Sequence, residues 1–322
     1  MKRVTISFFV VLLILSLVKC SEIFLEDISG KNIQLVSPSD NLVTETMSHN
    51  FWWKEVEGAK KYNLQIVQPN FSNPKKFVLD TNISGTRFAK TLFPGDFQWR
   101  VKAFNTEYET PYAVRSLSID STTDLSNQYI VLTAPKSSLA TQDTNITFSW
   151  DALYNADEYR FIVKETNWQG AFLVDTLITS GSGIELTLDE GPYAWGVRAQ
   201  NQDSHTNYET RKLEIDYTAP QAPVLLNPAD EDTVNTALVT FQWKRPDRSG
   251  TSINDSLVIA QDSSFTDVVF RKYTTDTIYN WNPTDESIET YYWKVRSVDR
   301  AGNQSPVDNF RTLYRDESAK LK

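Results

Sequence analysis

The chain has 322 residues, 32 basic and 41 acidic side chains, and a formal net charge of −9. That balance excludes a general nucleic-acid binder, which needs a basic face to release counterions from phosphates. Eleven glycines and two histidines leave little for a phosphate-cradling loop or a multi-histidine metal centre, and the one cysteine, Cys20, sets the first question by its position.

Lys2 and Arg3 precede the almost purely apolar run Val4 to Val18. Fifteen helical residues reach roughly 22 Å, short of the ~30 Å hydrocarbon core, so the run reads as a signal h-region. Leu17-Val18-Lys19-Cys20 resembles the lipobox of bacterial lipoproteins, except that Lys19 stands where a small residue is usual. The resemblance implies that residues 1–19 are a signal peptide and that Cys20 carries the lipid, a palmitate-type anchor. An ordinary secretory signal or an uncleaved anchor are the alternatives. A chain that leaves the cytoplasm yet has no second cysteine uses this one for attachment rather than pairing. Glu22, Glu26 and Asp27 resemble the acidic export signal of Bacteroidetes surface lipoproteins, and equally an ordinary polar tether over 20–32.

The rest of the chain is one unit written three times. Each copy opens near a proline (Pro38, Pro135, Pro228), continues through Phe51-Trp-Trp53, Phe148-Ser-Trp150 or Phe241-Gln-Trp243, and closes on aromatic-x-Trp-x-Val at Trp99, Trp195 or Trp293. The first tryptophans lie 97 and 93 residues apart and the second 96 and 98, a period that suits whole domains rather than solenoid units. From Phe97 to Ala103, and from Tyr291 to Ser297 if Ser297 is buried, apolar and polar residues alternate strictly. Alternation of this kind makes strands with one dry face. With turn residues at short intervals and about seven strands per repeat, the expectation is all-β: three tandem antiparallel β-sandwiches. Domains are expected at 33–120, 129–216 and 217–314, with a linker at 121–128 and a charged tail at 315–322. The linker is polar and proline-free, so it is expected to flex; the proline-bearing stretch from Ile215 to Pro223 is expected to hold its neighbours firmly.

The two tryptophans of each repeat are expected to meet across the core in place of an inter-sheet disulfide. Tyr291 to Pro306 resembles the penultimate strand and turn of bacterial fibronectin type III and Ig-like domains, most closely in the third repeat. This resemblance implies fold, with spacer or binding functions. In related surface proteins an aspartate at a joint can hold calcium with acids of the next domain, so Asp216 with Asp299 or Asp247 is a candidate, set against ordinary turn aspartates.

No nucleophile–base motif surrounds His49 or His205, which sit in polar, turn-like sequence, and no zinc-protease or serine-hydrolase signature is present. The chain therefore reads as a non-enzyme without a cofactor. Trp281 falls in an alternating strand and is assigned to the core, which leaves Trp52 and Trp168 as candidate contacts for a glycan or a partner protein, or as aromatics covered by neighbours. Asp-(Ser/Thr)-x matches resembling the Bacteroidetes O-glycosylation motif place candidate acceptors at Ser121, Thr176, Thr233, Ser256 and Thr277. The expected molecule is a lipid-anchored outer-membrane protein outside the cytoplasm. It would act as a structural or interaction subunit with other envelope proteins, or alternatively as a surface glycan-binding lipoprotein or adhesin. Replacing Trp150 by alanine is expected to cost about 3–5 kcal/mol, read as loss or a large downward shift of the second repeat's unfolding transition.

Overall fold

The structure, a computed structural model, describes residues 25–246, 251–283, 290–307 and 309–315. Cys20, the apolar run before it, Asp247 and most of the tail lie outside them. Every helix or strand element among the described residues is a strand. The first repeat contributes β1 (Leu35–Ser37), β2 (Leu42–Thr44), β3 (Ser48–Trp53), β4 (Lys61–Gln68), β5 (Lys76–Ile83), β6 (Arg87–Thr91), β7 (Gly95–Phe104) and β8 (Ala113–Ile119). The second contributes β9 (Leu132–Ala134), β10 (Leu139–Thr141), β11 (Asn145–Trp150), β12 (Glu158–Glu165), β13 (Phe172–Ile178), β14 (Gly183–Thr187), β15 (Gly191–Gln200) and β16 (Glu209–Ile215). In the third stand β17 (Val224–Asn227), β18 (Asp232–Val234), β19 (Val239–Lys244), β20 (Ile253–Ala260), β21 (Val268–Thr274), β22 (Ile278–Trp281), β23 (Thr290–Asp299) and β24 (Arg311–Arg315).

These strands form three pairs of sheets, one three-stranded and one five-stranded sheet per repeat, as expected for tandem sandwiches. In the second repeat the orders are β14-β11-β9 and β10-β16-β15-β12-β13, and the third repeats them strand for strand. The opening strand of each of these repeats breaks at its proline. Its first half pairs antiparallel in the small sheet, and its continuation pairs parallel with the last strand of the large one. An arginine fastens the break: Arg115 donates to the carbonyls of Leu35 and Pro38, Arg211 to those of Leu132 and Pro135, and Arg311 to those of Leu225 and Pro228. Five fixed donors on one planar group suit carbonyls that diverge from a strand.

Two compact units are distinguished. One holds the described residues up to Asn41 with Phe51–Phe88 and Asp96–Leu117; the other holds Leu42–Asn50, Ala89–Gly95 and the chain from Ser118 onward. Within the second unit the 121–128 segment is tied down where flexibility was expected. Leu125 and Gln128 are buried; the Met47 N–H donates to Gln128 Oε1, and Gln128 Nε2 donates to the Glu45 carbonyl. Lys90 pairs with Asp151 at 2.8 Å, and the same carboxylate accepts the Thr91 N–H. A polar composition predicts exposure only while its polar groups lack protein partners, and here they have them.

The core is aromatic, though its contacts differ from tryptophan meeting tryptophan. Trp99, Trp195 and Trp293 each receive the edge of the phenylalanine that begins the F-x-W pattern, with centroids 5.1, 4.9 and 5.0 Å apart for Phe51, Phe148 and Phe241. The first tryptophans Trp53 and Trp150 pair instead with Tyr62 and Tyr159, whose hydroxyls accept the N–H groups of Val56 and Leu153. Trp281 is buried against Phe241 and Tyr291, as its alternation implied.

The third repeat departs at one place. Tyr62 and Tyr159 register with Ala103 and Ala199; the corresponding pair is Asp255 and Ser297. Both are buried. The Asp255 carboxylate accepts Trp243 Nε1, Arg245 Nε at 2.8 Å and Ser297 Oγ at 2.7 Å. A buried carboxylate is tolerated because it is paired and fully hydrogen-bonded. Asp255→Ala leaves the indole N–H and guanidinium without their acceptor and is expected to cost about 3–5 kcal/mol, measured as a lowered unfolding midpoint of the third repeat.

Candidate functional site

Strand register makes the outer faces of the large sheets comparable position by position. Asn63, Gln65, Asp80, Asn82 and Lys102 of the first repeat correspond to Arg160, Ile162, Asp175, Leu177 and Arg198 of the second. In the third they correspond to Ser256, Val258, Arg271, Tyr273 and Arg296. Apart from Asp255 and Ser297 the inner faces keep one pattern, and the outer faces carry three different chemistries: amides, an ion pair over apolar side chains, and a basic surface. In the second repeat Arg160 grips Asp175 with two bonds, and that bonding holds the Asp175 carboxyl below the usual carboxylate range. In the first, burial raises the Tyr112 phenol while Lys102 and Arg100 nearby oppose the shift.

An aromatic residue lies on each of these faces, on the loop after the second strand of the large sheet in chain order: Phe71, Trp168 and Phe265, spaced 97 residues apart. Arg100 covers Phe71 at 4.0 Å and Lys294 covers Phe265 at 3.7 Å. Both cations directly follow the repeat's second tryptophan. In the second repeat that position is Gly196, and a Cβ there would lie 2.8 Å from the Trp168 ring. The indole occupies the space that a cation fills in the other two repeats. Tyr208 packs on it with centroids 5.4 Å apart, and Lys164 sits 5.2 Å above the ring. Trp168 is therefore half-buried rather than a bare loop-tip contact. Trp52 does point to the outer face, where Arg87 covers it at 4.3 Å.

The joint aspartates face donors. Asp216 accepts the Thr251 N–H and hydroxyl at 2.9 and 2.7 Å, and Asp299 accepts the Asn303 N–H and side-chain N–H at 2.9 and 3.0 Å. Asn303 Nδ2 also donates to the Asp216 carbonyl, 2.6 Å away. Among the described residues no group of three or more His, Cys, Asp or Glu side chains is placed to hold a metal. Both carboxylates thus accept N–H or O–H donors at this joint.

Of the glycosylation candidates, Ser121 and Thr233 are exposed, and Thr176 and Thr277 are half-buried. Ser256 is 7% exposed within β20, which leaves no room for a sugar on the folded strand. His49 is not in a turn but in β3, buried, with Nε2 2.8 Å from the Thr46 carbonyl; burial pushes its pKa down. His205 Nδ1 lies 3.0 Å from the Thr206 carbonyl.

No protein-family model and no curated protein matches the chain. Solved structures that match include the fibronectin domains FN1–FN3 of chicken CNTN1, at 13% identity and a TM-score of 0.43, over 89% of this chain and 98% of that one. Domains A168–A170 of titin match at 13% identity and a TM-score of 0.40, over 88% and 97% of the two chains.

Gly196→Ala sets a methyl against the Trp168 ring and, 2.9 Å away, against the Glu209 carbonyl oxygen. The substitution is expected to destabilise the second repeat by about 1–3 kcal/mol. Trp168→Ala in the same chain should recover only part of it, because the carbonyl contact remains; a double-mutant cycle by chemical denaturation reads the coupling.

Proposed function

We propose that the chain is a non-catalytic, lipid-anchored protein of the outer membrane, facing away from the cytoplasm, that serves as a structural and protein-binding subunit of an envelope assembly. The observation that carries this reading is the outermost strand of the large sheet in each repeat. There β5 exposes Phe77, β13 exposes Phe172, Leu173 and Leu177, and β21 exposes Val268, Val269 and Tyr273. Apolar side chains left in water on the same strand of every repeat suit a surface that a partner covers. A β-bulge in each of these strand pairs, at Ile66/Val67, Val163/Lys164 and Ile259/Ala260, interrupts the ladder. A disrupted ladder disfavours strand-to-strand addition, so the partner engages side chains. Sandwiches of this architecture recur in many cell-surface domains and do not by themselves specify a chemistry. Support for the anchor is the sequence from Lys2 to Cys20. Two lipid chains or more would make attachment stable, at about 0.8 kcal/mol per buried methylene.

A second reading, a surface glycan-binding lipoprotein or adhesin, is favoured by the amide-lined face of the first repeat rather than by Trp168 or Trp52. The anchor and the partner surface are tested together in the native host. Labelled palmitate is expected to enter the wild-type protein and not Cys20→Ser. An envelope protein should co-purify in mild detergent with wild type and be lost with Phe172→Asp/Leu177→Asp. Unlabelled, freely soluble wild-type protein would refute the anchor, and capture indifferent to the double substitution would refute the surface.

A further inference from the structure

Between Asn63, Gln65, Asp80, Asn82, Lys102 and Tyr112, on the outer face of β4, β5 and β7, lies an open groove of about 340 Å³. We propose that this groove is a binding site for a neutral glycan, an inference that rests on the second functional reading and gives it a location.

The polar groups are fixed before any ligand arrives. Asn63 Nδ2 donates to Asp80 Oδ1 at 2.8 Å and to Asn82 Oδ1 at 3.0 Å, while its own carbonyl oxygen accepts the Tyr112 hydroxyl at 2.7 Å. Gln65 Nε2 donates to Asp80 Oδ2 at 2.9 Å and its carbonyl accepts Arg100 Nε at 2.8 Å. A carboxamide has two N–H donors and two lone pairs, and a carboxylate has about four acceptor sites, so this network leaves capacity over. What remains is interleaved donors and acceptors on planar groups held in place, the arrangement that meets sugar hydroxyls, each of which both donates and accepts. Phe104 lines the same groove and supplies ring surface for the apolar C–H face of a sugar, while the Tyr112 ring is engaged by Arg100. Because the groups are preorganised, little side-chain entropy is lost on binding.

Charge selects against an ionic ligand. Lys102 is paired with Glu109 at 2.5 Å, and Arg100 is bonded to Gln65 and stacked on Phe71 and Tyr112, both at 4.0 Å. The cations are thus committed, and Asp80 and Glu109 offset them. The fold does not demand this cluster: at the same five positions the second repeat places Arg160, Ile162, Asp175, Leu177 and Arg198, and the third has no amide at all. The second and third sandwiches stand without it, so the architecture itself does not call for an amide cluster at these positions.

The test is isothermal titration of the full chain with a panel of neutral oligosaccharides: β-1,4-glucan, β-1,4-xylan, β-1,4-mannan and α-1,4-glucan hexamers. At least one is expected to bind saturably, with Asn82→Ala and Gln65→Ala each weakening it about tenfold. Melting should be unchanged in Asn82→Ala, and Trp168→Ala should bind as wild type does. No saturable heat with any member of the panel overturns both the site and the glycan reading. Binding lost in Trp168→Ala and kept in Asn82→Ala overturns the site and leaves the reading standing. Binding of polygalacturonate alone overturns the neutral ligand.

Discussion

One contact closes each sandwich: the edge of a phenylalanine ring on the small sheet set against a tryptophan on the large sheet. Phe51 and Trp99, Phe148 and Trp195, and Phe241 and Trp293 repeat it with centroids 4.9 to 5.1 Å apart. Each such ring buries on the order of 150–250 Å², so the pair dominates what a small domain can gain from burial. The geometry also sets register. Phenylalanine and tryptophan can meet only if β3, β11 and β19 present alternate residues inward opposite β7, β15 and β23, and a one-residue slip of either strand would turn its ring away from the other. With no disulfide available among the described residues, this aromatic contact holds the two sheets in place.

Once the inner faces are fixed, the outer faces are free to diverge, and they do so by compensated exchange. At the position after the second tryptophan, Arg100 and Lys294 lie over a phenylalanine, whereas Gly196 makes room for an indole. Trp168 and Gly196 are two halves of one substitution. The same logic acts inside the third core, where Asp255 and Ser297 replace a tyrosine–alanine pair together and gain hydrogen bonds to Trp243 and Arg245. The indole N–H groups of Trp53, Trp99, Trp150, Trp195 and, in the third repeat itself, Trp293 are buried without an acceptor, whereas that of Trp243 is paired with a carboxylate.

What could be read from the chain follows from period and range. Strict alternation around Trp99, Trp195 and Trp293 reports local geometry, so the strands, their dry faces, the burial of Trp281 and Ser297, and the threefold repeat were all legible. Relations between distant residues were not. Trp168 reads as an exposed loop aromatic unless Gly196, 28 residues on, is known to lie beneath it. The 121–128 segment reads as flexible because its composition is polar, and the partners that tie it down, Met47 and Ser204 among them, lie about 80 residues away in sequence. The amide groove was illegible for the same reason: Asn63, Asp80, Asn82 and Tyr112 come together only through strand pairing, and each alone is an ordinary surface residue.

The joints follow a chemical rule. Six residues after the second tryptophan the first two repeats carry Asn105 and Asn201. Each side-chain N–H group donates to a carbonyl of the segment entering its repeat, Glu26 at 2.9 Å and Thr123 at 2.8 Å. The equivalent residue of the third repeat is Asp299, and an ionised carboxylate has no N–H to give. The donor moves four residues on, to Asn303, after a turn in which Gly302 adopts a positive φ of 95°. Asp299 then accepts from Asn303 at both oxygens and orients it toward the Asp216 carbonyl, so the entering segment is held as in the other repeats. An acid at this position is the acceptor half of a relay, and its two oxygens aim an amide at the entering segment.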